Sequence, residues 1–211
     1  RDYYRRLLAL AEKHDFIIFA DECYSEIYRG DPPPGLLEVA AEVGADPERV
    51  VIFNSLSKRS NVPGLRVGLL AAGPQSMQRL RQQRAYAGPP VPLPLQRVAE
   101  RLWADEAHVE ASRALYREKF ALADRILAGH QGYQPPDGGF FLWLPVPEQV
   151  GDGEAAALKL WTGTGVRVLP GAYLGRDTPQ GNPGRDYIRV ALVAQKDEVE
   201  RGLTRLRDSL M

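Results

Sequence analysis

Residues 16–20 (Phe-Ile-Ile-Phe-Ala) form a short unbroken apolar run, and Val50-Val51-Ile52-Phe53 repeats it before breaking at Asn54. Continuous apolarity over about five residues suits a strand buried on both faces, as in a parallel sheet flanked by helices. Between the two runs, residues 36–43 can form a short helix once the chain leaves the Pro32-Pro33-Pro34-Gly35 breaker. Residues 66–72 supply a further strand and 75–86 an Arg- and Gln-rich helix. That alternation of strand and helix predicts an α/β fold.

The pattern changes after residues 87–94, where four prolines in eight positions predict an extended connection. Helices are expected over 95–104 and 107–128, a strand over 139–144 and a helix over 154–163. Strands over 166–169 and 186–193 and a closing helix over 196–210 complete the order. A domain boundary is placed near residue 115, within the longest helix. Residues 3–14 read as an amphipathic helix with no capping residue before it, so the chain, which starts at Arg1, is expected to be part of something longer.

Composition narrows the function. The 211 residues carry 27 Lys+Arg against 27 Asp+Glu, a net charge of zero that gives no general attraction to nucleic acid or an anionic membrane. No apolar run reaches the ~20 residues that span a bilayer. A single cysteine, Cys23, excludes an internal disulfide and a Cys-rich zinc module, and a reducing, cytoplasmic setting is expected. Cys23 itself reads as a small buried residue. His14, His108 and His130 are scattered without metal-ligand spacing.

Both apolar runs end in polar residues that a core does not need: Asp21-Glu22-Cys23-Tyr24 after the first, Asn54-Ser55-Leu56-Ser57-Lys58-Arg59-Ser60-Asn61 after the second. In open α/β sheets, ligands bind in the crevice outside the carboxyl ends of the strands. A lysine just beyond a buried strand can act as an amine nucleophile. Ser55, Ser57 and Arg66 suit a phosphate dianion, two hydroxyls and a guanidinium fork. Asp21 could pair with a cationic ring nitrogen, and Tyr24 could donate to a ring oxygen. Together these match the needs of pyridoxal 5′-phosphate. Taken singly, Asp21 could cap a turn, Tyr24 could only pack, and Lys58-Arg59 could be a solvated basic pair; the combination, in order at strand ends, favours the cofactor.

Asp21-x-x-Tyr24, Ser55-x-Ser57-Lys58 and Arg66 resemble the signature of the pyridoxal-phosphate aminotransferases of fold type I, class I/II. Gly138-Gly139-Phe140-Phe141-Leu142-Trp143, Val168-Leu169-Pro170-Gly171 and Tyr187-Ile188-Arg189-Val190-Ala191-Leu192 extend the resemblance along the chain. It implies a partial large cofactor-binding domain over residues 1–115 and a small α+β domain over 116–211. It implies that Lys58 binds the cofactor covalently and carries a proton between it and the substrate Cα. Asp21, Tyr24, Ser55, Ser57 and Arg66 would hold the cofactor, and Arg189 the substrate α-carboxylate. An outward-facing surface role for Arg189 stays open. Phe140, Phe141 and Trp143 are read as core.

The run from Phe53 to Arg66, together with Asn182-Pro183-Gly184-Arg185, is similar to the branch of the family that transaminates N-succinyl-L,L-diaminopimelate with 2-oxoglutarate in lysine biosynthesis. Aspartate, alanine or aromatic aminotransferases are the alternatives, as is a non-catalytic piece that serves only in dimerisation. Within the same fold, a C–S lyase, a decarboxylase or a cofactor-bearing regulator would share Lys58 and Asp21. The resemblance also implies a homodimer and small amino and oxo acids as partners. The family's Asn-Pro motif, its ring-stacking aromatic residue and its upstream phosphate turn have no counterpart here, so an exposed sheet edge is expected.

Overall fold

The computed structural model describes residues 1–211. The chain divides into two compact units, Arg1–Arg113 and Ala114–Met211.

The first unit opens with helix α1 (Asp2–His14), which turns Leu8 and Ala11 inward and stops where Asp15 adopts the left-handed conformation, φ 52°. Strand β1 (Ile18–Asp21) follows, then helix α2 (Leu36–Glu42) and strand β2 (Val50–Ser55). One turn of helix, α3 (Leu56–Arg59), leads to strand β3 (Gly68–Ala72). Helices α4 (Pro74–Ala87), α5 (Leu93–Ala104) and α6 (Ala107–Leu127) come next, the last of these continuing past residue 113. The extended Gly88–Pro92 connection between α4 and α5 has no regular structure, as its prolines predict.

The sheet order is β1-β2-β3. β1 and β2 run parallel with Ile18 opposite Val50 and Asp21 opposite Phe53. β3 joins antiparallel, placing Gly68 opposite Ser55, so the sheet is mixed rather than wholly parallel. Leu8, Ala11, Leu36, Val39 and Ala40 of α1 and α2 pack against Ile18 and Val50. The expectation that the first apolar run is buried on both faces fails: Phe19 is 69% exposed, and Phe16 and Ile17 are exposed as well. Side chains alternate across a strand, and α1 and α2 cover only the face that Ile18 and Ala20 share. A second cluster, Leu56, Val67 and Ala99 with Leu95 and Leu102 against it, seats α3 on α5.

The second unit contains the rest of α6, strand β4 (Phe141–Pro145), helix α7 (Gly153–Thr164), the short strand β5 (Leu169–Pro170), strand β6 (Tyr187–Ala191) and helix α8 (Lys196–Leu210). Its sheet is antiparallel in the order β4-β6-β5. Leu142 and Leu144 of β4 and Ile188 and Val190 of β6 face a core completed by Phe120, Leu127, Leu160, Leu203 and Leu206. Asp152 caps α7 by accepting from the Ala155 N–H at 3.0 Å. No helix is long and apolar enough to cross a membrane.

Candidate functional site

The parallel β1–β2 pairing brings the two polar strand ends together, because both strands deliver their carboxyl ends to the same edge of the sheet. Asp21 is the last residue of β1, and its carboxylate accepts from the Cys23 N–H at 3.0 Å. Burial, and after it the bond to Asp21 and that residue's charge, push the Cys23 thiol up to about 11. Cys23 is only partly buried, contrary to expectation, because the turn after β1 carries it to the rim of the strand end.

Ser55 ends β2 and starts α3. Its hydroxyl accepts from the Ser57 N–H at 3.1 Å, lies 2.9 Å from the Ser57 hydroxyl and reaches the Val67 carbonyl at 3.3 Å. That cap fixes the single turn on which Lys58 stands. The Lys58 ammonium lies 5.7 Å from the centre of the Tyr24 ring, so the two strand-end segments meet there. Lys58, Ser55 and Ser57 are all half-buried.

Arg66 is placed differently from the sequence reading. It is exposed, adopts φ 55°, and turns its guanidinium back onto the Pro63 carbonyl at 2.9 Å rather than toward the serines. Its place in the chain still brings it near them, since Val67 accepts from the Leu56 N–H and Gly68 pairs with Ser55.

Arg189 sits in the second unit on β6, on the face of the sheet turned away from the core. Its guanidinium lies over the Phe141 ring at 4.3 Å and pairs with no carboxylate. Trp143 is opposite it in register and stacks on Tyr187 at 5.5 Å. Reading Phe140, Phe141 and Trp143 as core therefore holds for Phe140, which is buried just ahead of β4, and fails for Trp143, which is 43% exposed, and for Phe141, half-buried on the same outer face. Strand alternation puts Phe141, Trp143 and Arg189 on one face and Leu142 and Leu144 on the other.

Arg59 and His108 were missed by sequence reasoning. Arg59 is buried instead of being half of a solvated pair, and its guanidinium donates to the Leu102 carbonyl at 2.7 Å. His108 bonds both Asp105 and Ser60. Asp105 lies only three positions from His108, but the contacts that join Arg59 and Ser60 to residues 102–108 span more than forty positions, and no local signal marks them.

The donors gathered in the first unit fit pyridoxal phosphate. They comprise an amine beside an aromatic ring, a carboxylate at the neighbouring strand end, and two adjoining hydroxyls with a guanidinium close by in the chain. No group of His, Cys, Asp and Glu side chains is arranged to hold a metal ion.

Comparison with known proteins agrees with this chemistry. Residues 1–206 match the family described as aminotransferase class I and II. An aminotransferase of Neisseria meningitidis Z2491 is 41% identical with a TM-score of 0.94 over 100% of this chain and 53% of its own. The 4-dedimethylamino-4-oxo-anhydrotetracycline transaminase OxyQ of Streptomyces rimosus is 32% identical over 96% of this chain and 54% of its own. A probable N-succinyldiaminopimelate aminotransferase of Thermus thermophilus is 27% identical, with a TM-score of 0.84 over 99% of this chain and 54% of its own. The chain thus spans about half the length of the curated relatives it matches. The fold is that of the pyridoxal-phosphate enzymes of fold type I, and pyridoxal 5′-phosphate is the cofactor that this family indicates. With its strand-end lysine, its hydroxyl pair and this match along nearly its whole length, the chain belongs to the class I and II aminotransferases.

Proposed function

We propose that this chain carries the covalent lysine and part of the cofactor cradle of an aminotransferase that works as a homodimer on small amino and oxo acids. The observation that carries the reading is the meeting of Lys58, Tyr24, Asp21 and the Ser55–Ser57 pair at the carboxyl ends of two parallel strands. When bound, pyridoxal phosphate supplies an electron sink that lets a substrate Cα–H bond break. Lys58 would hold the cofactor through its amine and, as a free amine, would move the proton from and to Cα. Asp21 would keep the ring nitrogen protonated by accepting its hydrogen bond, the Tyr24 hydroxyl would donate to the ring oxygen, and Ser55, Ser57 and Arg66 would hold the phosphate. Arg66 would give up its bond to the Pro63 carbonyl in doing so.

Arg189 is the carboxylate-binding residue in this reading. A guanidinium seated on an aromatic ring, with no acidic partner, is attractive to an anion and keeps its donor edge free. Residues 1–115 then form part of the large cofactor-binding domain and 116–211 the small domain. For the substrate, N-succinyl-L,L-diaminopimelate with 2-oxoglutarate as acceptor is favoured by the Phe53–Arg66 run and by the 27%-identical Thermus relative.

The test is a half-reaction on the cofactor-loaded protein, following loss of the bound cofactor's absorbance on adding glutamate or N-succinyl-L,L-diaminopimelate. Conversion by both, abolished in Lys58→Ala and weakened at least tenfold in Arg189→Ala, supports the reading. Conversion by aspartate, alanine or an aromatic amino acid, but not by the succinylated diamine, would transfer the chain to another branch.

A further inference from the structure

The two residues after Lys58 carry a polar network for which the roles above have no use. Arg59 is 4% exposed and stacks over the Trp103 ring at 5.0 Å. Its guanidinium donates to the carbonyls of Leu102 at 2.7 Å and Trp103 at 3.4 Å, and pairs with Glu106. Those carbonyls close α5, where a helix has no N–H of its own left to offer them. Ser60 is buried, and its hydroxyl lies 2.8 Å from Nε2 of His108. Nδ1 of His108 lies 2.9 Å from one carboxylate oxygen of Asp105, whose other oxygen accepts from the Ala107 N–H at 2.9 Å.

The direction of this relay follows from the donor inventory. An ionised carboxylate can only accept, so Nδ1 carries a proton, and with a single proton on the ring Nε2 accepts from the Ser60 hydroxyl. Carboxylate, imidazole and hydroxyl in that order are the parts of a nucleophilic triad. The exposures run the wrong way for one. The serine is buried, and its oxygen also meets the Arg59 guanidinium at 3.5 Å, while Asp105 stands in solvent. A nucleophile needs an open hydroxyl; a fastening needs a buried one.

What is fastened is a helix of four residues, too short to hold itself. Leu56 anchors its beginning among Val67 and Ala99, and the Ser55 hydroxyl caps it. Its far end, immediately after Lys58, is anchored by Arg59 and Ser60. We propose that His108, with Asp105 behind it and Ser60 in front, is a positioning residue for Lys58: it pins the exit of the lysine-bearing turn to the α5–α6 junction. This inference rests on the reading of Lys58 as the cofactor lysine, and the test separates the two.

Hydrogen exchange of the 56–60 amides is measured in the full chain and in His108→Ala, Ser60→Ala and His108→Gln, with α8 as internal reference. Loss of one buried hydrogen bond is expected to speed exchange of that segment about tenfold in the first two variants. His108→Gln, whose amide oxygen can still accept from Ser60, is expected to stay within about threefold of the parent. Unchanged exchange in both alanine variants overturns the clamp, and if His108→Ala does not fold, Ser60→Ala decides.

The second readout is circular dichroism in the absorption band of added pyridoxal phosphate, which is achiral and gives a signal only when the chain fixes its orientation. His108→Ala is expected to lose more than half of this signal at equal cofactor bound, with recovery in His108→Gln. Faster exchange with an unaltered signal leaves a structural clamp and overturns the positioning role. If the parent chain itself fixes no cofactor at Lys58, it is the cofactor reading that falls, while the exchange data still decide the clamp.

Discussion

Gly184 and Gly171 approach each other more closely than any side chain allows, just before the strand that bears Arg189. A Cβ built on Gly184 would stand 2.6 Å from the Gly171 carbonyl carbon and closer still to its oxygen. That oxygen cannot swing away, because it accepts from the N–H groups of Leu174 at 3.0 Å and Gly175 at 3.2 Å. Neither can the Gly184 segment, whose carbonyl receives the Tyr187 N–H at 3.2 Å as β6 begins. Gly184→Ala must therefore move main chain against main chain. We expect a cost at the upper end of the overpacking range, about 3 kcal/mol. For a unit of roughly a hundred residues that lowers the melting temperature by roughly 12–24 °C. Differential scanning calorimetry of parent and variant measures it. A Gly184→Ala chain that melts within ~3 °C of the parent would refute the argument that these two backbones are in contact.

Other substitutions carry their own signs. Gly202 lies inside α8 with nothing within 4 Å of where a methyl group would stand, so Gly202→Ala should stabilise the chain by about 0.5–1 kcal/mol in urea unfolding. Leu144, fully buried in the second core, should cost about 2–5 kcal/mol when cut to alanine, read from the same unfolding curves. The Cys23 thiol, raised from about 9 to about 11, should react with iodoacetamide at pH 8 on the order of a hundredfold more slowly in the folded chain than in urea. The sign is that of an acid held protonated: the associated stability is complete below pH 9 and is lost as the pH rises through about 11. Equal alkylation rates in the two states would contradict the raised pKa.

Much of this was legible in the sequence because it is local. The helices over 36–42, 107–127 and 196–210 follow from breakers and apolar periodicity, and the lysine and aspartate stand directly after apolar runs. What periodicity cannot report is which face of a strand finds a partner. Phe19 and Trp143 are apolar residues left exposed on the faces opposite the two cores. Strand limits also moved: the first begins at Ile18 because the left-handed Asp15 and the closing bond of α1 from the Phe16 N–H to the Ala11 carbonyl tie up the start of the apolar run. The β5 strand shrinks to Leu169–Pro170 between the left-handed Gly165 and the turn at Gly171. The network around Arg59 and Ser60 was invisible because Glu106 and His108 lie 47 and 48 positions away. Nothing in a basic pair or a lone histidine announces a contact over that separation.

The claim on which the functional account stands is that Lys58 is the lysine that binds the cofactor. The chain is to be incubated with pyridoxal phosphate, reduced with borohydride, digested and mapped by mass spectrometry. A pyridoxyl group at Lys58, with Lys13, Lys119, Lys159 and Lys196 unmodified at equimolar cofactor, is the predicted result. Labelling spread over those other lysines, with no preference for Lys58, would contradict it.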